Sequence, residues 1–276
     1  MTLTTRRLLT LFGTTTLAAL LPAGASARDI SIPFSASNFS DPLTIDNEFW
    51  PLVPGSTFIY KAEGPDGCEE DHFTVTGKKK KILGIWTRVV EDLAYEDPQC
   101  DGVDDSELVE KTADWHAQDN DGNVWYLGEE SFDCEGADDC ELGDGSWEAG
   151  KDVAGVGSIA EPGIIILAEP HNGDTYYQEF YEGFAEDQAT VKGLGTTVTL
   201  QRDDAYPPGE FSGCMVTKEF TTLDAGAVEQ KYYCPGVGLV RVEEHHGKNL
   251  TFELTDPSAA SEESDEFRFR KVPGTK

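Results

Sequence analysis

The chain has 276 residues, with 52 Asp or Glu against 21 Lys or Arg, for a formal charge of −31. A field of that sign repels nucleic acid and anionic lipid, so neither is expected as a partner. No segment after residue 27 approaches the roughly 18 consecutive apolar residues of a spanning helix, so no membrane insertion is expected.

At the N-terminus, Arg6-Arg7 precedes a modestly apolar run from Leu8 to Leu21. Pro22-Ala23-Gly24-Ala25-Ser26-Ala27 then supplies small residues at A-x-A spacing. This is the pattern of an export signal cleaved after Ala27, by the general secretory or the twin-arginine route. Cleavage removes two arginines and no acids, so the charge moves from −31 to −33. No Cys stands at the cleavage site to carry a lipid anchor. The expected product is secreted or periplasmic, and a monomer.

The mature chain suits one large β domain, and no linker divides it. The expectation is a signal over 1–27, an irregular lead-in over 28–47, a single β domain over 48–255 and a flexible tail over 256–276. The tail has the Ser- and Glu-rich composition of disordered segments. Strand signals follow in order, near 56–63, 71–78, 82–95, 107–118, 123–134, 140–148, 175–182, 186–201, 213–222, 227–234, 237–245 and 249–255. Helical periodicity of useful length is absent. Residues 150–174, where Gly and Pro punctuate Ile164-Ile165-Ile166-Leu167, read as a long loop that crosses or plugs the sheet. Sequential hairpins predict an all-β, antiparallel up-and-down meander. Closure or half-closure into a barrel would remove its exposed edges, with a β-sandwich as the alternative.

The six cysteines fall as three sequential pairs, each centred on a turn signal. Cys68 and Cys100 are equidistant from Gly84, Cys134 and Cys140 from Ala137, and Cys214 and Cys234 from Asp224. Folding each segment about its centre brings apolar residues together: Phe73 with Tyr95, Phe132 with Leu142, Leu127 with Trp147, Val216 with Tyr232, Phe220 with Val228. The predicted pairing is therefore 68–100, 134–140 and 214–234, three hairpin clamps in an oxidising compartment. The same fold sets Glu219 against Glu229, a mildly destabilising like-charge pair.

Four stretches carry a resemblance: Asn47-Glu48-Phe49-Trp50-Pro51-Leu52-Val53-Pro54-Gly55-Ser56, Gly122-Asn123-Val124-Trp125-Tyr126, Gly145-Ser146-Trp147-Glu148-Ala149-Gly150 and Pro235-Gly236-Val237-Gly238-Leu239-Val240. Together they resemble an uncharacterised family of secreted bacterial β proteins with PLVPGT-x-W/Y, GNVWY-x-GE and PGVGLV motifs. The resemblance implies an exported β domain over about residues 43–255 and brings no catalytic residues with it.

Polar residues that interrupt a strand face mark candidate chemistry. The hairpin turning at Asp121-Gly122 sets Gln118 opposite Trp125, His116 opposite Leu127 and Asp114 opposite Glu129. Asp114, His116, Gln118 and Glu129 then share a face beside Trp125. Two facing carboxylates raise one another's pKa or share a cation, and a nearby His is a base or ligand. Asp114 and Glu129 are the candidate metal ligands, for Ca²⁺. The Asp119–Asn123 run is read as a hairpin turn, because Val124 stands where a calcium loop needs glycine. A second candidate is His171 with Tyr177, Glu179 and Tyr181, an aromatic-acidic face suited to a carbohydrate or cationic ligand.

No G-x-S-x-G, P-loop, H-E-x-x-H or dinucleotide fingerprint is present, and oxidised cysteines exclude a thiol nucleophile. The reading that results is an exported acidic binding protein for a small ligand or divalent cation. The alternatives are a carboxylate-based hydrolase acting on an extracellular polymer, and a structural envelope protein.

Overall fold

Apolar residues at alternate positions make the strands. In Thr57–Gly64 the side chains of Phe58, Tyr60 and Ala62 are buried while Ile59 and Lys61 between them are half-exposed, the two-residue period of a sheet with one face inward. The computed structural model describes residues 28–258, except 144, 207–209 and 246. The expected signal over 1–27 and the tail from 259 onward lie outside the described residues.

Fifteen strands form one sheet among the described residues. They are β1 (Arg28–Asp29), β2 (Thr57–Gly64), β3 (Gly67–Ile82), β4 (Ile85–Asp97), β5 (Leu108–Gln118), β6 (Val124–Cys134), β7 (Cys140–Leu142), β8 (Trp147–Glu148), β9 (Gly163–Ile166), β10 (Asp174–Tyr177), β11 (Asp187–Thr199), β12 (Glu210–Thr221), β13 (Val228–Cys234), β14 (Gly238–Glu244) and β15 (Thr251–Ser258). Two antiparallel meanders, β2 to β7 and β10 to β15, are joined where β15 pairs with β2; β8 and β9 both pair with β6. The all-β meander expected from the sequence is thus the fold. Only β1 pairs in parallel, with β10.

The sheet is not closed. Its ends meet at one isolated bridge, Glu161 with Phe180, and at Gly163, where an added Cβ would lie 1.8 Å from the Gln178 carbonyl oxygen. Trp50 shows how strongly the sheet curves. Its ring contacts Phe73 of β3 at 5.5 Å and Tyr233 of β13 at 5.7 Å, although three strands separate β3 from β13 in the sheet. The face around Trp50 is therefore concave.

Four expectations are corrected. The Ile164-Ile165-Ile166 run is not loop: its buried Ile164 and Ile166 build β9 against β6, which gives this backbone its hydrogen bonds. Asp256 to Ser258, expected as flexible tail, continue β15 along Ile59 to Thr57. Arg28 and Asp29, expected as irregular lead-in, pair with Asp174 and Thr175, held by the Arg28–Asp174 ion pair at 2.8 Å. The mirror about Gly84 is one residue off already at the turn, where Ile82 opposes Ile85, and an irregularity between Val75 and Lys79 shifts it by two more. Phe73 then opposes Asp92 rather than Tyr95.

All three expected disulfides are present, with Cα separations of 5.2, 4.1 and 4.2 Å. Val216 opposes Tyr232 and Phe220 opposes Val228, as the mirror about Asp224 predicts. Phe132 likewise opposes Leu142, whereas Trp147 opposes Glu129 instead of Leu127. The four stretches of the resemblance also lie against one another, the Tyr126 and Trp147 rings meeting edge to face at 5.4 Å. The Gly236 amide donates to Glu48 O at 2.7 Å, and Asn47 Nδ2 donates to Gly122 O at 3.0 Å.

Loop-closure entropy ranks the clamps by sequence separation, which is 32, 20 and 6 residues for 68–100, 214–234 and 134–140. Paired Cys→Ser variants should lose about 4, 3 and 2 kcal/mol respectively in denaturant titrations. A reversed order would show that native-state packing, not chain entropy, sets their worth.

Candidate functional site

Residues opposed across antiparallel strands project from the same face, so the registers locate side chains on the concave side. One row runs Val75, Val90, Asp114, Glu129, Trp147 across β3, β4, β5, β6 and β8. The next runs Phe58, Phe73, Asp92, Thr112, Ser131. The third runs Tyr60, Asp71, Ala94. Carboxyl groups therefore step diagonally across the sheet, from Asp71 through Asp92 to the opposed pair Asp114 and Glu129.

Tyr126 closes the lower step. Its hydroxyl oxygen lies 2.6 Å from Asp114 Oδ1 and 2.8 Å from Glu129 Oε2. A phenol has one proton to donate, so both contacts are hydrogen bonds only when one carboxyl is itself protonated. The electrostatics agree. Burial, then the Glu129 charge, hold the Asp114 carboxyl well above the usual range, and burial pushes Glu129 up to about 7. Glu179 approaches from the far end of the sheet. Burial and the charges of Glu129, Asp187 and Asp114 raise it well above normal. Higher up, Asp71 is raised by burial, by the Asp92 charge and by a hydrogen bond shared with Asp92.

Lys231 is the one cation set among these acids in the described residues. Its ammonium is 3.0 Å from Glu219 and 3.1 Å from Glu229. That contact explains how the like-charged pair foreseen in the sequence is tolerated: Glu219 does oppose Glu229, and Lys231 bridges them. Glu219 also accepts from Tyr233 Oη at 2.7 Å and Thr217 Oγ1 at 2.8 Å.

Above the carboxyl steps lies a cavity of about 320 Å³ whose walls include Trp50, Tyr60, Asp71, Phe73, Asp92 and Lys231. Two buried polar atoms on its walls, Trp50 Nε1 and Asp71 Oδ1, have no hydrogen-bond partner. His116 Nδ1 and Trp147 Nε1 are likewise unpartnered, in residues 2% and 0% exposed. His116 stacks on Tyr126 at 5.0 Å with its ring 6.1 Å from Trp50. Burial pushes its imidazole down to about 3, so it is neutral and supplies no counter-charge.

The residues singled out in the sequence separate accordingly. Asp114, His116 and Glu129 come together. Asp114 does oppose Glu129, but by a compensation: near the turn His116 opposes Tyr126 and Gln118 opposes Val124, one residue off the expected mirror, and a bulge on β6 restores the register. Gln118 and Trp125 are elsewhere. Gln118 Oε1 accepts from the Asp46 and Asn47 amides at 2.9 Å, fastening the lead-in. Trp125 donates to Asp119 Oδ2 at 2.8 Å and packs against Phe34 and Phe39.

The second group does not share a face. Regular pairing ends at Tyr177, and the amides of both Gln178 and Glu179 bond to Asp187 O, which breaks the alternation. Tyr177 is exposed against Phe180, whereas Tyr181 is fully buried and donates to Asp152. His171 lies in the open beside Arg28 and Asp174. Only Glu179 joins the acid cluster. At the 119–123 turn, Asp119 Oδ1 caps the amides of Asp121 and Asn123, which is a turn function.

The sequence reading missed Asp71, Asp92, Trp50, Tyr60 and Lys231. A signal existed for the first two: Asp71 shares strand parity with Phe73 and Val75, and Asp92 with Val90 and Ala94. Each is an acid within an otherwise apolar face.

Comparison with known proteins assigns the chain to no family. No family model matches it, and no curated protein is significantly similar to it. A crystal structure from Parabacteroides distasonis, provisionally described as a lipoprotein, aligns over 77% of this chain and 99% of its own at 12% identity and a TM-score of 0.39. What the structure defines is the class: an all-β protein with three disulfide-clamped hairpins, and such disulfides are compatible with an exported life.

The Glu129 carboxyl yields a pH prediction. Its folded-state value of about 7 lies above the ordinary 4.5. The native state is therefore penalised increasingly as pH rises from about 4.5 to about 7, and fully above that. Glu129→Gln keeps an acceptor for Tyr126 without the charge. It should raise Tm by several degrees at pH 8 and leave it unchanged below about pH 4.5. Thermal melts across that range check it; an equal shift at both ends would mean the effect is not titration.

Proposed function

We propose that this is an exported binding protein that takes a small organic ligand into the cavity beside Trp50. The observation that supports this most directly is the pair of unpartnered buried atoms, Trp50 Nε1 and Asp71 Oδ1, on the walls of one cavity. A buried polar atom left without a partner costs about 1–3 kcal/mol, and a ligand offering an acceptor and a donor would recover it. A volume of about 320 Å³ lies in the range of small-molecule sites, and Trp50, Tyr60 and Phe73 supply the apolar surface such sites present.

The alternatives draw less support. Between Asp114 and Glu129 stands the Tyr126 hydroxyl, in the position a shared Ca²⁺ or a substrate bond would need. The one three-carboxylate group close enough to hold an ion, among the described residues, is Asp97, Asp101 and Glu107 beside the first disulfide. Asp97 there already accepts the amides of Gln99 and Gly102 at 3.0 and 2.9 Å.

A ligand-observed NMR screen of a fragment library against the oxidised protein tests the proposal. Hits should lose binding when the cavity is filled by Ala94→Phe or, should that variant melt early, by Val242→Phe. A library that yields no hit sensitive to either substitution sinks it.

A further inference from the structure

We propose that the ligand is an organic cation, an ammonium or guanidinium. Its charge would sit between Asp71 and Asp92, and its apolar body against Trp50, Tyr60 and Phe73. This rests on the cavity reading above and narrows it to one chemical class.

Charge balance on the concave face supports it. Asp71, Asp92, Asp114, Glu129 and Glu179 act on one another electrostatically, and among the described residues no ion pair reaches any of them. Lys231 is committed to Glu219 and Glu229, and His116 is neutral. The face therefore holds a surplus of negative charge that, without a ligand, is relieved by protons. Asp71 shows this at the cavity itself, because burial and the Asp92 charge hold its carboxyl well above the usual range, so that it keeps a proton. An ammonium placed there substitutes for that proton: R–NH₃⁺ enters, the pair becomes two carboxylates around it, and one H⁺ leaves to solvent. The unpartnered Asp71 Oδ1 then gains a donor.

The rest of the cavity decides between an organic cation and a bare ion. A metal ion needs several oxygen ligands in its first shell and gains little from indole and phenyl walls. The walls also carry Glu69, Glu70, Glu96, Glu229 and Glu244, but among the described residues no three of the cavity's carboxylates converge as an ion requires, and its aromatic rings suit a cation that carries its own apolar body, through cation–π contact and burial. Trp50 Nε1, a donor without an acceptor, adds a place for an oxygen or nitrogen on that body. The groups facing Asp71 from the packed strands are Tyr60 of β2, Asp92 of β4, Asp114 of β5 and Lys231 of β13. Tyr60 and Lys231 keep their protons at neutral pH, which leaves the carboxyls to respond.

Phenethylammonium and its neutral analogue 2-phenylethanol are the probes, titrated calorimetrically at pH 7.5 in two buffers of different ionisation enthalpy. The amine should bind about tenfold or more tightly than the alcohol, release a proton, and weaken at pH 5.5. Asp71→Asn and Asp92→Asn should each reduce its affinity about tenfold or more while melting no lower than the parent. Equal affinity for the two probes, or affinity unchanged in both Asn variants, would overturn the cation assignment and leave the cavity reading standing. Displacement of the amine by micromolar Ca²⁺ would overturn it in favour of a metal ion. No heat from either probe also overturns it, and coupled with a silent fragment library removes the cavity reading too.

Discussion

A carboxyl group carried out of water must find a counter-charge, a set of donors or a proton, and this fold carries a row of them onto one concave face. All three solutions appear. Lys231 neutralises Glu219 and Glu229. Tyr126 gives its single proton to the Asp114–Glu129 pair. Asp71, raised by burial and by the Asp92 charge, keeps a proton. Removal of any of these would leave buried charge facing buried charge, a penalty of several kcal/mol per ion in a folded protein. The aromatic residues around them, Trp50, Tyr60, Phe73 and His116, deepen the problem by excluding water from the same space.

The backbone is arranged to hold that face in place. Two meanders zipped by β15 and β2 curve around Trp50, and the disulfides clamp three hairpins whose strands carry the acids or their partners. Register irregularities matter more than strand length here. The shift after Val75 brings Asp92 opposite Phe73, and the bulge on β6 brings Glu129 opposite Asp114. Gly128 permits that bulge: its φ is +125°, and an added Cβ would lie 2.3 Å from Trp147 O.

What the sequence made legible was local. Hairpin disulfides follow from symmetry about a turn, and the 214–234 register is right because that hairpin has no irregularity over its paired residues. The 68–100 register is wrong by one residue at the turn, which is centred between Leu83 and Gly84, and by three beyond Thr76-Gly77-Lys78, because nothing there announces how many residues the irregularity absorbs. Asp114 and Glu129 were found opposite each other although the register beside the turn was one residue off, so part of that success was cancellation. The cavity was not legible. It is made by β3 and β4 facing β13 and β14 across the curve of the sheet, and no short-range pattern states that Asp71 and Lys231 share a space. Tyr177 and Tyr181 failed for a related reason: alternation was extended past the point where Asp187 O accepts two successive amides.

Carboxyl ¹³C NMR titration of the oxidised protein without added ligand reads the protonation of the concave face directly. The expected result is a small group of Asp and Glu signals titrating near or above pH 7, one of them lost in Glu129→Gln, against a surface majority near the ordinary value of about 4. If every carboxyl titrated below about pH 5, the concave face would be holding solvated, ionised acids, and the account of shared protons awaiting a cation would be wrong.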